Sequence, residues 1–233
     1  SYLYLGENIV EESLSISPAS FQAPIFSPKG DEIMFAGITE DEEKALITHN
    51  RLNSQTRALT IINGPVAFDY SPNGKYVAYI DSNNSHDSWI SGTLNVMESQ
   101  GSKPQKLSSI GDNVIGFFWS PDGEKIAYFK SSVKQEEIDG VIEQFSYLEL
   151  HVLSIFEGTS KNLFSFVPSE LFAALLPYID QYQRTFTIWS PDSQYLALSA
   201  YTEQGPAIVV AQSEGDFEPR ILEFGMLPIW SWK

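Results

Sequence analysis

A ten-residue pattern returns four times along this chain and restricts its fold more than any other feature. Phe26-Ser27-Pro28-Lys29-Gly30, Tyr70-Ser71-Pro72-Asn73-Gly74, Trp119-Ser120-Pro121-Asp122-Gly123 and Trp189-Ser190-Pro191-Asp192-Ser193 are copies of one turn. Each starts on an aromatic, continues Ser-Pro and reaches a turn-former; three close with glycine. Proline presets the first corner of a β-turn, Asp or Asn suits the second, and glycine tolerates positive φ. Counting from each aromatic, position +7 is Ile33, Val77, Ile126 or Leu196, position +8 is Met34, Ala78, Ala127 or Ala197, and position +9 is Phe35, Tyr79, Tyr128 or Leu198. Four copies in register are an internal repeat.

Around each turn lies a cycle of four strand-like runs, a to d, rich in β-branched and aromatic residues. The first unit reads Ala23-Phe26, Glu32-Ile38, Ala45-Leu52 and Arg57-Ile62. The second reads Val66-Tyr70, Tyr76-Asp81, Trp89-Met97 and Pro104-Ile110. The third reads Val114-Trp119, Lys125-Lys130, Phe145-Phe156 and Lys161-Phe166, and the fourth Phe186-Trp189, Tyr195-Ala200, Ala207-Gln212 and Arg220-Phe224. Strand b is apolar at three consecutive positions, so it is covered on both faces. Four-stranded antiparallel sheets, each sandwiched between two others, make an all-β fold of the β-propeller type; a β-sandwich does not predict the same cycle returning every ~45 residues. Tyr2-Leu5 and Ser13-Ile16 are two further strand-like runs, and Pro228-Ile229-Trp230-Ser231 repeats Pro24-Ile25-Phe26-Ser27. Joined, the two ends predict a composite fifth blade that shuts the ring, with 1–233 a single domain. The rival reading is an open arc cut from a larger ring.

The 233 residues carry a net charge of −16, which disfavours nucleic acid and anionic membrane, since phosphate needs Lys and Arg opposite it. Hydrophobic content of 42% suffices for a core, and no apolar run reaches the ~20 residues a membrane helix requires. With no cysteine, disulfide and thiolate chemistry are excluded. The chain opens on Ser1 with neither an initiator Met nor a signal peptide, which reads as a mature form or an excised domain.

The units resemble those of TolB-type β-propellers, whose blades carry an aromatic-Ser-Pro-Asp-Gly turn followed by a Lys-x-Ile-Ala-Phe-like strand. Trp119-Ser120-Pro121-Asp122-Gly123-Glu124-Lys125-Ile126-Ala127-Tyr128 carries the resemblance most fully. Lys29, Asn73 and Ser193 depart from the pattern. The resemblance implies a propeller in a periplasmic or cell-surface setting. It is poor in functional content, because related propellers serve as binding proteins, as gating domains of peptidases and as a few lyases.

Alternating strand direction puts the a–b and c–d turns on one face of the disc and the b–c and d–a connections on the other. The intervals between motif aromatics are 44, 49, 70 and 41 residues. The surplus in the third falls in the b–c connection Ser131-Gln144 and the d–a connection Val167-Thr185, both on the second face. Long connections often carry function, so the binding surface is expected there. Glu40, Asp41, Glu42, Glu43, Asp81, Asp87, Glu136, Glu137, Asp139 and Glu143 also fall on that face. They read either as a solvated rim or as a field for a cationic protein or peptide. In the second insertion Ser169-Glu170 caps a short helix through Leu176 that Pro177 ends. Tyr178, Asp180, Gln181, Tyr182 and Arg184 then lead into an inner strand, where they suit a small polar ligand or peptide at a channel mouth. Alternatively Leu171, Phe172, Leu175 and Leu176 plug the ring and the polar residues cap them.

Catalytic signatures are sparse: no Gly-x-Ser-x-Gly elbow, no His-Glu-x-x-His and no glycine-rich phosphate loop occurs. His49 and His151 fall in strands c and read as packed or edge histidines. The loop from Asp81 to Asp87 is oxygen-rich, but Gly92 stands where a calcium loop has Glu and His86 where it has Gly. No cofactor and no metal is therefore assigned. Two functions fit the sequence: a non-catalytic binding propeller that presents an acidic loop face to a protein, peptide or small polar ligand, or an accessory propeller gating a hydrolase whose catalytic domain lies outside this chain.

Overall fold

The four repeats fold into four antiparallel sheet units that stack face to face in chain order. The computed structural model describes residues 2–3, 12–13, 23–82, 90–100, 106–138, 141–179, 185–216 and 218–231. A short antiparallel pair comes first, β1 (Tyr2–Leu3) with β2 (Glu12–Ser13); the rest of the two runs expected there lies outside the described residues. Blade one is β3 (Ile25–Phe26), β4 (Glu32–Ile38), β5 (Lys44–Asn50) and β6 (Thr56–Ile61), paired in that order. Blade two is β7 (Val66–Tyr70), β8 (Tyr76–Ser82), β9 (Gly92–Glu98) and the first part of β10 (Lys106–Trp119). The second part of β10 opens blade three, which continues through β11 (Lys125–Ile138), β12 (Val141–Ser154) and β13 (Ser160–Phe166). Blade four has β14 (Tyr195–Thr202), β15 (Gly205–Gln212) and β16 (Arg220–Phe224). Its expected first strand, Phe186-Trp189, is reduced to a single bridge between Trp189 and Leu196.

Strands d of blade two and a of blade three, read from sequence as separate, are thus one continuous strand. Ile110 pairs with Leu94 in blade two, and Phe117 pairs with Tyr128 in blade three. The corner between them holds Asn113 at φ 68°, a left-handed conformation that asparagine accepts more readily than most residues.

The four Ser-Pro turns share one geometry. The fifth residue of each motif has positive φ: Gly30 at 71°, Gly74 and Gly123 at 72°, and Ser193 at 60°. The serine hydroxyl donates to an acceptor two residues on: Ser120 Oγ to Asp122 at 2.6 Å, Ser190 Oγ to Asp192 at 2.5 Å, and Ser71 Oγ to Asn73 Oδ1 at 2.8 Å. In blade one, where Lys29 replaces the aspartate, Ser27 Oγ donates instead to Asp31 at 2.7 Å.

In blades two and three strand b is covered on both faces because its residues alternate between two inter-blade cores. Val77 and Tyr79 pack with Met34, Ala36 and Leu46 of blade one, whereas Ala78 and Ile80 pack with Phe117, Ile126 and Tyr128 of blade three. In the same way Ala127 and Phe129 pack with Leu196 and Leu198 of blade four. The alanine at +8 thus faces the following blade. No helix among the described residues is long and apolar enough to cross a membrane.

Candidate functional site: the rim of blade three

Backbone hydrogen bonds fix the two faces of the stack. On one, each a–b turn meets the c–d turn of its own blade: Arg51 N donates to Asp31 O, Ser99 N to Lys75 O, Ile155 N to Glu124 O and Ser213 N to Gln194 O, at 2.8–2.9 Å. On the other, a d–a connection meets the end of the next strand b. Ser82 N donates to Pro65 O at 3.2 Å and Tyr201 N to Val167 O at 2.8 Å. Asp81, placed in the acidic field from sequence, has a structural task here: its carboxylate accepts from Asn63 N at 3.0 Å and from Asn63 Nδ2 at 2.9 Å.

Both insertions leave blade three from this second face. Ser131 pairs with Leu148, and Leu148 with Phe166, so one row across the sheet marks the point of departure. Beyond that row the segment 131–144, expected as an irregular connection, is a two-stranded ribbon. β11 and β12 stay paired as far as Ile138 and Val141, seven residues past the row and so about 23 Å of extended chain. Val133 and Ile142 are exposed on this arm. Of the residues expected to bind, Glu136 and Glu137 lie in β11 opposite Glu143 and Ile142 by register, and Asp139 lies outside the described residues.

The base of the arm carries a polar cluster. Ser132 Oγ donates to Glu149 Oε1 and His151 Nε2 meets Glu149 Oε2, both at 2.9 Å. The His151 ring stacks on Tyr128 with centroids 5.0 Å apart. The bond from His151 holds the Glu149 carboxyl below its usual range against an opposing effect of burial, and Ser132 adds to it. The serine proton is committed to the carboxylate and not to the imidazole, which is not the nucleophile–base contact that activates a hydroxyl. Sequence reading does not single this cluster out. Its one signal is that Glu149 and His151, two apart on a strand, share a face.

The segment after β13 seals the boundary between blades three and four. Pro168 bridges Ala200, Ser169 N donates to Ser199 O at 3.2 Å, and buried Ser199 Oγ donates to Ser169 Oγ at 2.8 Å. Ser169 then caps α1 (Glu170–Leu175), its side chain accepting from Phe172 N at 3.3 Å. The expected helix ends one residue earlier than Leu176. Pro177 does not stop the chain turning but sits within a 3-10 turn over Leu176–Tyr178, where its missing N–H is harmless. Phe172, Leu176 and Ile179 are buried in the core shared by blades three and four. Phe172 stands 5.5 Å from the Phe129 ring, edge-on. Leu171 is exposed. A Cβ added to Gly116 would come within 2.9 Å of Ile179 Cδ1, so the insertion lies directly on the first strand of blade three.

Tyr178 is half exposed beside this anchor. Asp180, Gln181, Tyr182 and Arg184 lie outside the described residues, as do His86 and Asp87. His49 is buried, its Nδ1 2.9 Å from Thr56 Oγ1. Glu40, Asp41, Glu42 and Glu43 form an exposed corner between β4 and β5. Among the described residues no group of three metal-ligating side chains forms a site.

No family model matches the sequence, and no curated protein matches it. Solved structures do. The tricorn protease superposes with a TM-score of 0.52 at 15% identity over 89% of this chain and 19% of its own. A prolyl endopeptidase superposes with a TM-score of 0.52 at 18% identity over 91% of this chain and 31% of its own. TolB from Acinetobacter baumannii gives a TM-score of 0.49 at 16% identity over 87% of this chain and 43% of its own. This chain spans less than half the length of each. The fold is all-β and antiparallel, and the superpositions on the tricorn protease and the prolyl endopeptidase match it to β-propeller proteins.

Proposed function

We propose that the chain is a non-catalytic binding propeller whose second face takes a protein, a peptide or a small polar ligand. The observation that carries this reading is the common row from which the β11–β12 arm and the α1 segment rise. A protruding two-stranded ribbon gains little from its own contacts, and it stands beside a segment clamped onto the first strand of blade three. The acids of the arm and of the β4–β5 corner favour a cationic partner. An oligolysine peptide serves as the probe. Its binding is expected to weaken more than tenfold between 50 and 500 mM salt, order-of-magnitude figures for screened surface charge, and to be lost when Glu136 and Glu137 become lysine. Affinity indifferent to salt contradicts the cationic partner. For the mouth beside Tyr178, replacing Asp180 and Tyr182 by Ala is expected to abolish ligand binding at unchanged melting temperature; a large fall in stability instead makes them part of the packing.

The finer architecture belongs to the same proposal: five blades, the fifth composed of 228–231 as its innermost strand and β1 and β2 as outer strands. Trp230 supports it. Its indole N–H donates to Ile188 O at 2.9 Å, as Trp189 donates to Phe118 O at 3.0 Å one blade earlier, each acceptor immediately preceding the motif aromatic. Removing residues 1–17 is expected to lower the melting temperature; an unchanged value rejects the composite blade.

A further inference from the structure

The residue that opens strand b, at position +6 of each motif, reaches across to the blade that follows, and the three crossings differ. Between blades two and three, Tyr76 stacks on Trp119 with centroids 6.5 Å apart, so rings fill the boundary. Between blades three and four, Lys125 crosses a pocket to the c–d turn of blade four, its Nζ 2.9 Å from Glu214 Oε1 and its side chain 15% exposed. Between blades one and two the crossing residue is Glu32. Gln100 follows Ser99 as Glu214 follows Ser213, so an amide stands where blade four has its carboxylate. The chain supplies an ammonium at one crossing and a carboxylate at the other. A cavity of about 450 Å³ remains between blades one and two, with Glu32, Tyr70 and Gln100 in its wall and Lys29 and Lys75 beside them. It opens on the face of the a–b and c–d turns, away from the arm.

Glu32 is served loosely there. Its side chain is 14% exposed, and Arg57 Nη2 stands 3.6 Å from Oε1. Tyr70, itself 3% exposed, donates its hydroxyl to Oε2 at 3.4 Å. Closer bonds of Arg57 go elsewhere, from Nη2 to Ser99 O at 2.7 Å and from Nε to Thr48 Oγ1 at 3.1 Å. Charge-assisted bonds normally close to about 2.7–2.9 Å, and a buried carboxylate calls for donors at that range. At the mouth Asp31 is engaged by Ser27 Oγ, Glu98 is exposed, and neither Lys29 nor Lys75, both exposed, forms an ion pair with a described residue. We propose that this pocket binds a small zwitterion, its primary ammonium against Glu32 and Tyr70 and its carboxylate at the mouth between Lys29 and Lys75. The ligand's ammonium does between blades one and two what Lys125 does between blades three and four. The inference rests neither on the binding reading above, which concerns the other face, nor on a fifth blade.

The test titrates the intact chain by calorimetry with γ-aminobutyrate and ε-aminocaproate, two zwitterions of different length. Saturable one-to-one binding of at least one is expected. Hexylamine and hexanoate, which keep one charge each, are expected to bind about tenfold more weakly or worse, as is the better zwitterion to Glu32→Gln. Should Glu32→Gln lower the melting temperature sharply, the double variant Lys29→Glu, Lys75→Glu decides, because both positions are exposed. It is expected to lose the zwitterion about tenfold while binding hexylamine no more weakly than the parent chain does. Absence of saturable binding by both zwitterions overturns the proposal, as does affinity that neither Glu32→Gln nor the double variant changes. Hexylamine binding as tightly as the zwitterions overturns it too, since the mouth then plays no part. Lys103 lies three residues past Gln100 in the sequence; zwitterion binding that appears only in Lys103→Ala gives the pocket to the chain's own lysine and likewise overturns it.

Discussion

Asn73 stands where the repeat has aspartate, and its amide reaches across to the next turn. Nδ2 lies 3.2 Å from Asp122 O and 3.3 Å from Gly123 O, acceptors a carboxylate could only repel. Ser193 stands where the repeat has glycine and accepts from Asp122 N at 3.1 Å. The two departures from the motif therefore staple three successive turns together. Asn73→Asp is expected to cost about 1–2 kcal/mol in denaturant unfolding. Ser193→Gly is expected to change stability by less than about 0.5 kcal/mol, because release from the left-handed conformation offsets the lost acceptor.

The indoles allow a similar comparison. Trp119 Nε1 is buried with no hydrogen-bond partner among the described residues, whereas Trp189 Nε1 has Phe118 O. Trp189→Phe is expected to destabilise by about 1 kcal/mol more than Trp119→Phe.

The turn carboxyls set the acid limb of stability. The Ser190 hydroxyl and then the Gln194 N–H hold Asp192 below the usual carboxylate range, and Asp31 is held down first by Ser27. Burial pushes Asp122 up, but Ser120, the Glu124 N–H, Ser193 and Lys125 together outweigh it. Groups lowered on folding contribute their full stability above the unfolded value of about 4 and lose it as pH falls through the folded values. The melting temperature is therefore expected to fall below about pH 4, and less steeply in a Ser120→Ala variant.

Among the elements, α1 and the arm contribute in opposite ways. Phe172 is buried against Phe129 and Phe166, so Phe172→Ala is expected to cost about 3–4 kcal/mol. Gly116→Val must displace Ile179 and is expected to cost about 1–3 kcal/mol. Replacing 135–144 of the arm by Asn-Gly is expected to shift the melting temperature by less than about 3 °C, since the strands removed pair only with each other.

Legibility divides along the same line. The strand after each Ser-Pro turn can be read from sequence because turn chemistry is local and the apolar triplet at +7 to +9 is contiguous, whereas the strand expected before the fourth turn is only the bridge at Trp189. The arm cannot be read as strands from its pattern, because Lys134, Gln135, Glu136 and Glu137 break the apolar alternation; Asp139-Gly140 between Ile138 and Val141 is the hairpin signal it does carry. The seal between Ser169 and Ser199 joins two ordinary serines thirty residues apart, which no local pattern marks.

At the scale of the molecule, stability resides between blades. Three apolar cores, each built from two neighbouring blades, run through the stack, and polar staples such as Arg57 Nη2 to Ser99 O at 2.7 Å cross the same boundaries. A stack of this kind ends either by meeting itself or by leaving a face for something else to cover. Placing β2 and 228–231 in one blade puts them within about three strand spacings, roughly 15 Å. Because the chain has no cysteine, Ser13→Cys and Ile229→Cys can be spin-labelled as a single pair and their separation measured by pulsed electron paramagnetic resonance. The account predicts one narrow distribution centred below about 25 Å once label reach is added to that spacing. A broad distribution reaching well beyond it would contradict a composite fifth blade.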